Sequence, residues 1–165
     1  MESPDPVPGI ELLEGSQAYA AKALEMVAGA YKEIALLTQE LDRRLYGTEA
    51  FVAALRKFVL QHEHTRCRIL VAHPQRAMGN GSRLIEFGRA MSSRLEFRDV
   101  PRERIHVIRE EYLVTDGRLL LYRETPETLE IRYYGGSPHL ARARLREYDP
   151  LWNESTPSQE LRRLS

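Results

Sequence analysis

The sequence predicts an α/β fold: a mixed, mainly parallel sheet flanked by helices. Three observations predict it. Through the first two-thirds of the chain, amphipathic stretches at helical spacing alternate with short, continuous apolar runs. From Tyr112 onward the pattern changes to three closely spaced β-type runs joined by short turns. A last amphipathic stretch then opens at Ser137-Pro138, with Ser suited to the cap and Pro to the first turn.

Taken in order, residues 1–14 carry Pro4, Pro6, Pro8 and several acids, and read as a flexible leader. A first helix is expected from Ser16, a suitable N-cap, with Tyr19, Ala23, Met26, Val27 and Ala30 on one face. Ile34-Ala35-Leu36-Leu37-Thr38 is an apolar run suited to a buried parallel strand. Gly47-Thr48 opens a second helix, with Phe51, Val52, Leu55, Phe58 and Val59 inward. Arg66 to Ala72 makes the next strand, Ser82 to Met91 a third helix, and Leu95 to Phe97 a short strand. Tyr112–Thr115, Leu119–Tyr122 and Leu129–Tyr133 are the later strands. The closing helix carries Leu140, Leu145, Tyr148 and Trp152, and Pro150 should kink or split it. The domain proper is thus expected over 15–154, with 155–165 a polar tail that frays unless Leu161 and Leu164 dock it onto the domain.

Composition narrows the function. Lys plus Arg and Asp plus Glu number 24 each, so the formal net charge is zero. Without a global field, neither nucleic acid nor an anionic membrane surface is expected as a partner. The basic residues are nearly all Arg, a bias that fits a bacterial-type, GC-rich coding sequence. Cys67 is the single cysteine, in an apolar strand, which excludes an intrachain disulfide and suits a buried, inert thiol. No apolar run approaches the roughly 20 residues that span a bilayer. The start of the chain lacks the basic and apolar regions of a signal peptide, so a cytoplasmic location is expected.

The stretch Arg109-Glu110-Glu111-Tyr112-Leu113-Val114-Thr115-Asp116-Gly117 carries the most information. It resembles the His-x-Lys-x4-Asp-Gly signature of the phospholipase D-like superfamily, with Arg109 at the His position, Glu111 at the Lys position, and Asp116 and Gly117 matching. The element order over residues 16–154 is similar to one half of that fold. So is the ending Tyr148-Asp149-Pro150-Leu151-Trp152, where the family packs an aromatic and a Trp onto the sheet. In the family the His attacks a phosphodiester and the Lys neutralises the phosphate. A guanidinium has no free lone pair and does not deprotonate, so Arg109 is no nucleophile. Glu111 would put negative charge where the phosphate must sit. The family's Gly-Ser-x-Asn element is also missing; its place reads Tyr122-Arg123-Glu124-Thr125-Pro126.

The resemblance therefore implies a non-catalytic phospholipase D-like half-domain acting as a binding or regulatory module. Its ligand-binding cleft is expected around Arg109, Glu111, Asp116 and His73, with no catalytic residue, no metal and no cofactor. Active members join two halves across a pseudo-two-fold axis. A single half implies a homodimer with Asp116 near the axis and Tyr112, Tyr122 and Tyr133 partly exposed at the interface; an unidentified protein partner covering that face is the other outcome.

Three further patterns bear on function. Arg76-Ala77-Met78-Gly79-Asn80-Gly81 fits the Arg-x-x-Gly-x-Gly loop of GCN5-related acetyltransferases, so Arg76, Gly79, Asn80 and Gly81 form an alternative site for acetyl-CoA. His62-Glu63-His64 has the wrong spacing for two ligands on one helix face and lacks a third, so it reads as a solvated helix end. The cluster Arg98, Arg102, Arg104 and Arg109 is interleaved with Glu96, Asp99, Glu103, Glu110 and Glu111, and reads as a salt-bridged surface.

Overall fold

Two strands whose side chains are buried on both faces form the centre of the sheet: β2 (Glu33–Thr38) and β3 (Arg66–Val71). The computed structural model describes residues 9–162. In it, β2 and β3 run parallel, as does the next strand, β4 (Leu95–Asp99). On the other side of β2 the sheet is antiparallel, through β5 (Glu111–Thr115), β6 (Leu119–Arg123), β7 (Glu130–Tyr134) and β1 (Ile10–Glu14). A two-residue strand, β8 (Thr156–Pro157), closes the far edge antiparallel to β4. The order is β1-β7-β6-β5-β2-β3-β4-β8.

The α/β class expected from the sequence is present, but the sheet is only partly parallel. A tight turn joins β5 to β6 and a short loop joins β6 to β7, and such connections reverse the chain, so these strands pair antiparallel to one another. The edge strands β1 and β8 lie within the segments expected to be a leader and a tail. Ile10–Glu14 alternates too weakly to be recognised as a strand, with only Ile10 and Leu13 partly buried; its partner β7 lies far along the chain. Pro4, Pro6 and Pro8 fall outside the described residues, as does Leu164. Leu161 does dock: it lies in α7 (Gln159–Arg162), fully buried.

Helices cover both faces. One face packs against α1 (Ser16–Gly29), α3 (Glu49–Leu60) and α5 (Ser82–Ala90), around Tyr19, Met26, Leu36, Leu55, Phe58, Ile69 and Leu113. Thr48 caps α3 by accepting from the Phe51 N–H at 3.1 Å. Gly15, not Ser16, holds the cap position of α1; its φ of 89° is the left-handed region that favours glycine. Two short helices escaped the periodicity: α2 (Arg43–Tyr46) and α4 (Pro74–Asn80).

The other face is closed by α6 (Pro138–Glu154), which runs through Pro150 as one helix. The Tyr148 and Trp152 rings stack at 6.2 Å, and the Tyr148 hydroxyl donates toward Leu36 O and Arg68 O at 3.1 and 3.0 Å. Beneath them Arg68 is buried, its guanidinium 5.0 Å from the Tyr148 ring and bonded to Asp149 at 2.9 Å. Burying a charge is costly unless it is paired, and here the ring face and the carboxylate both serve.

The turn between β5 and β6 is fastened to the sheet. Asp116 and Gly117 both take positive φ, 55° and 63°, as a type I′ turn requires, and Arg118 N donates to Thr115 O at 3.0 Å. The Asp116 carboxylate accepts from the N–H groups of Lys32 and Glu33 at 2.8 and 3.0 Å, and from Tyr31 N at 3.1 Å. It thus satisfies the chain entering β2. Asp116→Ala should cost about 2 kcal/mol, the loss of charge-assisted bonds plus strain at positive φ. Chemical denaturation checks this; a change within experimental error would contradict the fastening role.

Candidate functional site

The parallel strands end at Thr38 and Val71, and the chain beyond them builds a cleft at this edge, where open α/β sheets commonly bind ligands. Its walls come from the turn after β2 (Gln39, Glu40), the start of α4 (His73, Arg76), the segment before β5 (Ile105, His106, Arg109) and the β6–β7 turn (Pro126, Glu127). The cavity holds about 400 Å³. A second hollow of about 420 Å³ shares His73, Arg76 and Ile105 with it and extends to Asp99, Arg102 and Glu160.

Gln39 organises the edge. It is almost wholly buried, and its amide Nε2 donates to Ile108 O at 3.2 Å and to Glu110 O at 3.0 Å. Its own carbonyl accepts from His73 N at 2.8 Å. One side chain therefore holds the segment bearing Arg109 against the ends of β2 and β3. Leu41 takes a positive φ of 51°, unusual for a branched residue, and its N–H donates to the Thr38 hydroxyl at 3.1 Å. That sharp turn carries Glu40 back toward Arg76, 3.5 Å away.

Glu111 points away from the cleft, into the core beneath α1 and α2. It is 3% exposed. Oε1 accepts from the Gln39 N–H at 3.0 Å, and Oε2 from the Tyr46 hydroxyl at 2.5 Å. The Tyr46 hydroxyl in turn bonds that of Tyr19 at 2.7 Å. Burial pushes the Glu111 carboxyl up to about 7, while its bonds from Thr38, Tyr46 and the Gln39 amide pull it back. Burial, and then the nearby Glu111 charge, hold both tyrosines well above their ordinary value.

The structure separates the residues of the stretch that resembles the family's signature. Arg109 and His73 line the cleft together. Glu111 lies behind it. Asp116 is at the opposite end of β5, about 17 Å along the strand at a rise of about 3.4 Å per residue, and has the fastening role described above. Residues the sequence reading did not assign to the cleft are Gln39, Glu40, Arg76, Ile105, His106, Pro126 and Glu127. Arg76 carried a signal only as part of the Gly-rich stretch.

The acetyl-CoA alternative finds no support. Residues 74–80 are helix, and the Gly81 N–H already donates to Ala77 O at 2.8 Å, so no cradle of free amides exists. The Asn80 side chain is bound to Glu40 O. A Cβ at Gly81 would lie 3.1 Å from the Leu41 side chain, which explains the glycine by packing. Cys67 is buried, its thiol pushed up to about 12 by that burial. Among the described residues no group of three His, Cys, Asp or Glu is arranged to hold a metal. No helix among them is long and apolar enough to cross a membrane.

A family model described as a domain of unknown function, DUF7931, matches residues 15–164. The chain belongs to this family. No curated protein sequence matches this DUF7931 chain. Solved structures do. TrmBL2, an archaeal chromatin protein with a novel mode of DNA binding, superposes at a TM-score of 0.67 with 15% identity, over 93% of this chain and 56% of TrmBL2. The chain thus spans little more than half of that protein. Nuc from Salmonella typhimurium, a phospholipase D family member, gives 0.67 with 12% identity, over 90% of this chain and 97% of Nuc. Phosphatidylserine synthase from Haemophilus influenzae Rd KW20 gives 0.66 with 16% identity, over 95% of this chain and 39% of the synthase. The DUF7931 domain has the phospholipase D-like fold.

One partner expectation needs correction. A DNA-binding protein shares this fold, which overturns the exclusion of nucleic acid. That exclusion rested on net charge, a sum over the whole molecule, whereas binding follows the local arrangement of cations. The homodimer is not shown, and of the proposed patch Tyr122 and Tyr133 stay partly exposed. Tyr112 is buried under α6, and the Arg144 guanidinium lies 4.6 Å over the Tyr122 ring. Lys22 lies 4.4 Å over Tyr133, and Asp116 is bonded to its own chain.

Burial of Glu111 makes a signed prediction. A carboxyl raised to about 7 from an ordinary 4.5 favours the folded state below the unfolded value, and that stability is lost as pH rises through about 7. Glu111→Gln should therefore gain in Tm relative to the natural chain as pH rises from about 5 to about 8. A Tm difference that does not vary with pH would contradict the burial of a titrating group.

Proposed function

We propose that this DUF7931 domain is a non-catalytic phospholipase D-like module that binds the phosphate backbone of nucleic acid in the cleft beyond β2 and β3. The observation that carries the reading is the fate of the two signature positions. Arg109 faces the cleft and supplies a permanent cation with five donors, suited to phosphate but unable to attack it. Glu111 is withdrawn into the core, so the cleft has neither the nucleophile nor the Lys of the family's signature, and it is also spared a carboxylate on its wall. Arg76 adds a second cation, and His73 and His106 add donors. Glu40 and Glu127 temper the field, which suits weak, salt-sensitive contact with a few phosphates rather than tight neutralisation. That a chromatin protein of this fold binds DNA supports the choice of ligand.

Fluorescence anisotropy with a labelled DNA duplex tests the reading. Binding should be detectable at low salt and weaken as salt rises. Arg76→Ala and Arg109→Ala should each weaken it and each lower the slope of log affinity against log salt by about one. In parallel, bis-p-nitrophenyl phosphate should not turn over above background. Absence of binding at low salt would sink the binding half. Turnover abolished by His73→Asn or His106→Asn would sink the non-catalytic half.

A further inference from the structure

Glu111 stands behind the cleft wall with an unusual set of neighbours. Its strand partner on β6 is Arg123, but that guanidinium turns away, to Thr128 O and to Ser16 Oγ at 3.3 Å. From the N-cap of α2, Asp42 adds a like charge, and Tyr46 and Tyr19 reach in from α2 and α1. Thr38 of β2 completes the surround. A buried carboxylate in this setting has hydrogen bonds but no ion pair.

Gln39 connects this carboxylate to the cleft through one residue. Its N–H bonds Glu111, its side chain clamps the carbonyls of Ile108 and Glu110 on either side of Arg109, and it forms part of the cleft wall. Because Gln39 is buried, the carboxylate and a ligand on the other side interact through protein, where screening is weak.

We propose that Glu111 makes the cleft proton-sensitive: an anionic ligand binds with uptake of a proton at Glu111 and is released as that carboxyl ionises. This rests on the reading of the cleft as a phosphate site. The hydroxyl chain accommodates both forms. With Glu111 ionised, Tyr19 donates to Tyr46 and Tyr46 to Glu111. With Glu111 protonated the chain reverses, Glu111 donating to Tyr46 and Tyr46 to Tyr19, and each oxygen keeps a partner; the Tyr19–Tyr46 bond can run either way. Both tyrosines hold their protons far above neutral pH, so the exchanged proton belongs to the carboxyl. The raised Glu111 value puts the change near neutrality. His73 and His106 line the same cleft, so the test separates their contribution from that of Glu111.

The test measures affinity for a labelled DNA duplex at constant low salt from about pH 6 to about pH 8.5, for the full chain and for Glu111→Gln. The natural chain should lose about tenfold in affinity across this range, the equivalent of one unit of pKa displacement on binding. Glu111→Gln should bind more tightly than the natural chain at pH 8 and show a shallower dependence on pH. Calorimetry at pH 7 in two buffers of different ionisation enthalpy should show net proton uptake by the natural chain that persists in the His73→Asn/His106→Asn variant. This second measurement holds even if Glu111→Gln does not fold. Superimposable pH profiles for the natural chain and Glu111→Gln, or uptake abolished by the histidine substitutions, would overturn the proposal while leaving the cleft a binding site. Absence of binding at every pH would overturn the phosphate-site reading, and this inference with it.

Discussion

The hydrogen bonds to the buried Glu111 carboxylate organise the cleft edge of this molecule. The group lies out of water's reach and makes no ion pair among the described residues, so its oxygens must be satisfied by donors fixed in place. Tyr46 supplies one, which positions α2 over the end of the sheet. The Gln39 amide supplies the other, which fixes the turn after β2 and, through the Gln39 side chain, the segment that carries Arg109. A Lys at this position could not accept either bond. The residue that the resemblance aligns with the signature's Lys is thus also the one around which the local structure is built.

Burial of charge recurs elsewhere in the fold, handled differently. Arg68 lies under α6 against the Tyr148 ring and Asp149, where an aromatic face and a carboxylate share the cation. Arg123 finds a carbonyl and a hydroxyl. These groups are charged at any physiological pH and serve as fixed ties. Glu111 alone among the three is held near its titration point, which distinguishes a structural charge from one able to respond.

Much of the fold was legible where a segment carries its own evidence. The apolar runs of β2 and β3, the Thr48 cap with its inward Phe51, Leu55 and Phe58, and the Ser137-Pro138 start of α6 are local signals. Phospholipase D-like architecture followed from their order together with Asp116-Gly117 and the closing Tyr148 and Trp152. The edge strands were hidden because Ile10–Glu14 and Thr156–Pro157 are strands only by virtue of remote partners. The site was harder. Asp116 stood out as a motif residue, yet its work is done on the amides of residues 31–33, which no spacing rule connects to it. Glu111 read as a charge in a binding cleft, because the tyrosines that take it into the core come from positions 19 and 46. His106 and Gln39 carry no motif and join the cleft only through the topology.

The central claim is that the carboxyl at position 111 titrates near neutrality inside the core rather than standing as an ordinary carboxylate in the cleft. Carbon-13 NMR of the side-chain carboxyl, assigned by comparison with Glu111→Gln, measures this directly. The account predicts a midpoint at about 7. A midpoint in the ordinary range, about 4.3, would contradict it and return Glu111 to solvent.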